Sequence, residues 1–490
     1  MASDSSGNSF RSILRNTSVL GGTQVFLALI NVVRGKFVAM ILGPEGMGLS
    51  SLFTSAYNTI TQGASLGLNL VMVKELAQVR DDEKRRGEVL GLILRVTRAT
   101  ALLGALFTVL FSGWLSRVTF GSGDYAWQFA LMGAGVFFLV TANAKAAVLQ
   151  GMHEVRRLAN ASIVGALTGL LCGVPLYWWL GYKGIVPAIV LLAIAMNIFY
   201  SWNIRHLRPS KQSFSWRKNM PAIRKMLSLG LILIASDLIG RFGTYCLNLV
   251  IRTVGDIDQV GLYQAANSIT AQYVGTIVAS LSMDFFPRLS AAASDNRLMT
   301  RIVNRQTVVV ALCMGPLAGI IIATAPLLIR LLLTESFMGT VDLVKLLGVG
   351  IYFKIMQFPM GYIAFSKGNK KVFFWLEGIY GNLTLVAFAV GGYLLFGLEG
   401  IGYGMIVENM IAFLVIWLVN CRLYGYNPDG TVMREYLIGA AVCMGCLGAS
   451  WVASTSVSVT AMAMIMTASA AYSLCRLRSL LKSEKKNGEC

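Results

Sequence analysis

Charge is scarce in this sequence. Only 13% of its residues are charged, where roughly 25% is ordinary for a globular chain. Mean hydropathy is +0.65, and the apolar residues fall in runs of roughly 20, the length a helix needs to cross a bilayer. A water-soluble enzyme is excluded. Histidine is nearly absent: His153 and His206 both lie in polar connections, so neither an intramembrane His base nor a metal cluster is available, and no metal or other cofactor is expected. Pro numbers 10 against 50 Gly, which fits helices packed through small residues in lipid and argues against a barrel of alternating strands. Cysteines stand at 172, 246, 313, 421, 443, 446, 475 and 490, with no pair in an external connection, so no disulfide framework follows. There is no Walker A motif and hence no built-in ATPase; any transport runs on a gradient or downhill. Nor does an apolar h-region open the chain, and MASDSSGNSFRS reads as a short cytoplasmic tail.

Hydropathy windows give fourteen spans, near 17–41, 48–73, 89–112, 126–150, 159–180, 185–203, 226–251, 261–286, 306–332, 341–365, 372–395, 401–421, 436–453 and 458–475. The fold class is therefore all-α integral membrane. The 42 Lys and Arg outweigh 23 acids, a balance that in a soluble chain suggests nucleic acid; here its placement reads as topology, and no nucleic-acid partner is expected. The tails and even-numbered connections hold 30 basic residues, the opposite connections only Arg117, Lys183 and Arg252. By the positive-inside rule both termini are cytoplasmic. The outer connections are short (GPEGMG, GYKG, FGLEG), and the longest polar stretch, 205–225, is strongly basic. It reads as a linker lying on the anionic inner leaflet.

Self-similarity at fixed offset divides the chain further. A shift of 213 residues pairs Gly48-Leu49 with Gly261-Leu262, Leu76 with Leu289 and Arg117 with Arg330; LMGAGVFF from Leu131 matches LLGVGIYF from Leu346, and GYKGI from Gly181 matches GLEGI from Gly397. The expected organisation is an N-lobe of six helices (1–204), the linker (205–225), a C-lobe of six helices (226–425), and two further helices with a tail (426–490). Six spans per unit keep both lobes in one orientation, with a pseudo-two-fold axis along the membrane normal and substrate between them.

The segment LGPEGMGLSSLFTSAYNTITQGASLGL, its echo VGLYQAANSITAQYVGTIVASLSMDFFPRLS, the short GYKGI and GLEGI connections and the six-plus-six layout resemble the Wzx-type oligosaccharide flippases. These form part of the polysaccharide transport branch of the multidrug/oligosaccharidyl-lipid/polysaccharide exporter superfamily. The resemblance covers about residues 12–425. It implies two lobes that alternate their opening in the bacterial inner membrane and carry an undecaprenyl diphosphate-linked oligosaccharide to the periplasmic leaflet, by a monomer that works beside a polysaccharide polymerase and a chain-length regulator. Many relatives have twelve spans, so the last two are a departure. A flippase for the peptidoglycan lipid precursor is the alternative. A cationic-drug antiporter would want an acidic cavity, and a membrane polymerase would want a large external loop; neither is present.

Nine basic residues stay within or at the ends of spans, and an intramembrane charge by default marks a cavity. Arg330 and Lys345 lie near outer ends and snorkel. Arg34 on the first helix and Arg241 on the seventh occupy counterpart elements, where the planar guanidinium fork suits phosphate oxygens. For Arg241 a second reading stands, an ion pair with Asp237 at i, i+4. Lys36 points some 200° away from Arg34. Arg95 and Arg98 share a face of the third helix and either snorkel or form the inner rim of a cationic cavity. Lys145 and Lys354 are isolated cations that complete the substrate-binding candidates. Among acids, Asp284 reads as structural, while Glu377, Glu408 and Asp237 are ion-coupling candidates, because a carboxyl in low dielectric can exchange protons near neutral pH. The amides Asn58, Gln62, Asn69, Gln264, Asn267 and Gln272 either contact sugar hydroxyls or join helices.

Overall fold

The computed structural model describes residues 4–79, 82–207, 216–452 and 455–486, among which there are helices and turns and no strand. The side chains of Gln272 and Asp284, and residues 208–215 of the basic linker, lie outside the described residues. Two compact units divide the chain, 1–253 and 254–490. The first contains α1 (Asp4–Ser65), α2 (Leu68–Gln78), α3 (Glu83–Leu110), α4 (Ser112–Phe120), α5 (Ala126–Gly151), α6 (Val155–Leu180), α7 (Ile185–Ile204) and α8 (Trp216–Val254). In the second are α9 (Ile257–Ala291), α10 (Asn296–Leu332), α11 (Val341–Met356), α12 (Phe358–Ser366), α13 (Lys370–Phe373), a π-helical turn (Phe374–Tyr380), α14 (Gly381–Tyr424), α15 (Gly430–Ser450) and α16 (Thr455–Lys486).

Nine helical runs among the described residues are long and apolar enough to cross a membrane. Three of them, Gly22–Ser65, Val155–Ile204 and Lys371–Tyr424, measure 44, 50 and 54 residues, about twice what one crossing needs. Each is broken near its middle: at Gly43 before Pro44, at the 3₁₀ turn Gly181–Gly184, and at Phe396–Gly397. These are the GPEGMG, GYKG and FGLEG connections, reduced from loops to breaks of a few residues. The basic stretch 205–225 is also shorter as a connection than the sequence suggests, since α8 is already helical from Trp216.

With few acids available, several go to helix starts. Asp82, Asp256, Asp295 and Asp429 each accept a backbone N–H in the first turn of α3, α9, α10 and α15, at 2.8 to 3.2 Å. Such caps satisfy donors that the helix itself leaves unpaired.

Small residues let helix backbones meet. Where α14 folds back on itself, a Cβ on Gly392 would stand 2.0 Å from the Gly400 carbonyl oxygen, and one on Gly404 would stand 2.1 Å from that of Phe388. In lipid, where burying apolar surface drives little, this close packing holds helices together. At the junction of α1 and α2 the chain takes left-handed values at Leu66 (φ 47) and Gly67 (φ 68), and a Cβ on Gly67 would lie 2.0 Å from the Gly230 carbonyl oxygen of α8. Gly67→Ala is expected to lose ~1–2 kcal/mol to backbone strain and about as much again to overpacking, so that melting in detergent falls well below wild type. Gly425→Ala, just after α14, is the control: it takes the same left-handed values (φ 65, ψ 23) but nothing lies within 4 Å, leaving the strain part alone. Equal losses in the two variants would show that the α8 contact contributes nothing.

Candidate functional site

In the first unit the isolated cation Lys145 projects from α5 toward α7. Its ammonium donates to Asn197 Oδ1 at 2.8 Å and to Ser201 Oγ at 2.7 Å. Around its helix the neighbours Ala144 and Ala147 are buried, and they belong to an apolar cluster that includes Leu68, Met72, Leu90 and Ile93 from α2 and α3. Arg98, exposed on α3, lies close enough to act electrostatically on Lys145. Neither cation forms an ion pair with a carboxylate among the described residues. Two positive charges in one low-dielectric region repel, and such an arrangement is stable only where water or an anion meets it. Arg95 stands one turn before Arg98 and has interactions of its own. Because α3 begins at Glu83, Arg95 and Arg98 sit ~18 and ~22 Å along it at 1.5 Å per residue.

The other basic candidates have different surroundings. Arg34 is half-buried on α1 and acts electrostatically on the buried Tyr177 of α6. Arg241 takes the second of its two readings: its Nε donates to Asp237 Oδ2 at 2.9 Å, and Gln62 Nε2 donates to the same oxygen at 2.6 Å. Its charge is thereby matched, and Asp237 and Gln62 join α8 to α1. Lys345 is likewise paired, with Asp342 at 2.9 Å.

In the second unit Lys354 is exposed although Tyr352, Phe353, Ile355 and Met356 around it are buried. It acts electrostatically on both Glu377 and Glu408, so the three candidates of this unit share one region. Glu377 lies in the π-helical turn with a carboxyl oxygen against Gly361 of α12; such turns recur at functional sites. Glu408 is 3% exposed and meets the Thr384 hydroxyl at 2.9 Å. Thr384 Oγ1 also lies 2.7 Å from the Tyr380 carbonyl oxygen. Below this cluster Gln357 donates to the Asn409 carbonyl at 2.8 Å.

Sequence reasoning missed Asn197, Ser201 and Thr384. A signal existed for the first two, polar residues one turn apart in an otherwise apolar span.

A family model described as polysaccharide biosynthesis protein matches residues 37–342. The Lipid III flippase of Escherichia coli (strain K12) is 24% identical over 360 residues, 72% of this chain and 85% of that protein. Among solved structures, an inward-facing multidrug resistance MATE family transporter of the MOP superfamily aligns with a TM-score of 0.68 at 19% identity, over 81% of this chain and 94% of the other. The Lipid II flippase MurJ in an inward closed conformation aligns at 0.69 and 12% identity, over 96% and 100%. These relatives are named as flippases and transporters, not as enzymes. Fold and sequence thus agree: this is an all-α integral membrane protein with the fold of the multidrug/oligosaccharidyl-lipid/polysaccharide exporter superfamily, and the chain belongs to the polysaccharide biosynthesis protein family.

Proposed function

We propose that the protein flips a lipid-linked oligosaccharide, joined to its carrier through a diphosphate, from the cytoplasmic to the periplasmic leaflet of the bacterial inner membrane. In this reading the chain spans the membrane fourteen times with both termini inside, as the distribution of basic residues supports. The observation that carries the substrate class is the Lys145 and Arg98 pair, two cations in a span region with no carboxylate against them among the described residues. A diphosphate leaving the headgroup layer needs fixed positive charge along its path. Family membership and the flippase relative support the same reading. Transport is driven by an ion gradient that acts through Glu377 and Glu408.

A second reading, a flippase for the peptidoglycan lipid precursor, has one specific observation in its favour. The alignment with MurJ runs over 96% of this chain, which takes in α15 and α16.

The two separate in proteoliposomes. Purified protein is given either an undecaprenyl diphosphate-linked oligosaccharide or the peptidoglycan precursor, each with a labelled sugar, and protection from a membrane-impermeant quencher is followed. The oligosaccharide is expected to cross at least about tenfold faster, a difference of only ~1.4 kcal/mol in transition-state free energy. A faster rate for the peptidoglycan precursor would favour the second reading, and movement of neither would overturn both.

A further inference from the structure

The chain contains several intramembrane cations, and they differ in what oxygen they are given. Arg241 and Lys345 face carboxylates, Asp237 and Asp342, at 2.9 Å each. Lys145 faces an amide oxygen and a hydroxyl. The orientation of both is fixed by groups behind them. Asn197 Nδ2 donates to the Phe138 carbonyl at 3.0 Å and to Thr141 Oγ1, so the two amide hydrogens are used on the α5 side and Oδ1 is left to face the ammonium. Thr141 can accept because its own hydrogen points to the carbonyls of Phe137 and Phe138, at 2.8 and 3.0 Å. Ser201 Oγ lies 2.5 Å from the Asn197 carbonyl oxygen one turn earlier, which takes the hydroxyl hydrogen and turns a lone pair toward Lys145.

We propose that Asn197 is a positioning residue that sets the charge of this subsite. With Ser201, it anchors the Lys145 ammonium through neutral oxygens only, leaving the full positive charge and the third N–H for a phosphate oxygen of the substrate. The inference rests on the diphosphate reading above. Asparagine and aspartate are nearly the same shape, but only asparagine can both donate to Phe138 and Thr141 and present a neutral oxygen to Lys145. A carboxylate at 2.8 Å would hold the lysine as firmly but would cancel its charge, as Asp237 does for Arg241. A neutral acceptor fixes the cation without competing with an incoming anion.

Charge and shape separate in three variants of the full-length protein. Asn197→Asp adds a carboxylate and keeps the shape; Asn197→Ala removes the three side-chain hydrogen bonds to Lys145, Phe138 and Thr141 and keeps the charge on Lys145; Lys145→Ala removes the cation. Each is measured for melting temperature in detergent, for the rise in that temperature with inorganic pyrophosphate, and for transport in proteoliposomes. Asn197→Asp is expected to melt below wild type, about where Asn197→Ala does, because it loses both donors to Phe138 and Thr141, yet to bind pyrophosphate and transport about tenfold to a hundredfold less well, the range set by a hydrogen bond to a charged group. Asn197→Ala is expected to melt lower and lose only about two- to threefold in both functional readouts, since Lys145 keeps its charge and its bond to Ser201. A purely structural role would instead make function follow melting temperature. Full pyrophosphate binding and transport by Asn197→Asp, with Lys145→Ala impaired about tenfold, would overturn the role of Asn197 alone. Full transport by Lys145→Ala would overturn the diphosphate site itself. Should Asn197→Asp not fold, Ser201→Asp presents a carboxylate to the same ammonium and is held to the same outcome.

Discussion

Removing both Lys145 and Arg98 as alanines is expected to lower transport by two orders of magnitude or more, with the protein still present in the membrane at wild-type abundance. In the proposed mechanism each cation contributes a charge-assisted hydrogen bond to the passing diphosphate, worth ~1.5–3 kcal/mol, and the two reinforce each other in low dielectric. Single substitutions should each cost about tenfold. Abundance should hold because neither cation anchors the helix packing through a carboxylate; Lys145 gives up two hydrogen bonds to Asn197 and Ser201, which retain their backbone partners. Arg98→Lys should recover only part of the activity, since a point charge lacks the bidentate fork. Arg34→Ala provides the comparison. In sequence it has no acid within one turn of its own helix; in the fold it stands half-buried beside Tyr177. Surface polysaccharide in a deletion strain, with membrane abundance measured alongside, orders these variants. Complementation by the Lys145→Ala, Arg98→Ala double variant as good as wild type would remove the cationic subsite.

How far the sequence reaches into this site follows from what each contact depends on. Contacts within one helix are legible: Asp237 and Arg241 are four apart on α8, and i, i+4 spacing alone puts them on one face, where they do pair. So are breaks that carry their own chemistry, Gly43 before Pro44 and Gly397 in FGLEG, because a run twice the bilayer length has to turn somewhere and glycine allows the backbone to do so. Lateral contacts are not legible. Asn197 lies 52 residues from Lys145, and which face α7 turns to α5 is decided by packing along both helices. The Leu66–Gly67 break carries no proline and lies against Gly230 on α8, a contact hydropathy does not encode.

Replacing Glu408 by glutamine is expected to leave the fold intact and to remove the dependence of transport on a pH gradient. The argument is a count of hydrogens. Thr384 carries one hydroxyl hydrogen, yet its oxygen lies 2.7 Å from the Tyr380 carbonyl and 2.9 Å from Glu408. With Glu408 ionised, the hydrogen serves either the carboxylate or the carbonyl, and one of the two short contacts is unsatisfied. With Glu408 protonated, the carboxyl donates to Thr384 and Thr384 donates to Tyr380, and both are satisfied. Gain or loss of one proton therefore changes the bonding of the last residue in the π-helical turn, Phe374–Tyr380, which also contains Glu377. Lys354 acts electrostatically on both carboxyls, so the two share one charged neighbour. Glutamine at 408 imitates the protonated form, because its amide nitrogen donates where the carboxyl O–H did. The variant should then transport at a rate indifferent to the gradient, below the driven rate of wild type by about tenfold or more, a loss of ~1.4 kcal/mol of coupling. Thr384→Val, which removes the relay but leaves Glu408 to titrate, should weaken the gradient dependence without abolishing it. The measurement is flipping in proteoliposomes with and without an imposed pH difference at constant membrane potential. Undiminished gradient dependence in Glu408→Gln would exclude this carboxyl as the proton carrier; the same result in Glu377→Gln would leave the membrane potential or another ion as the driving force.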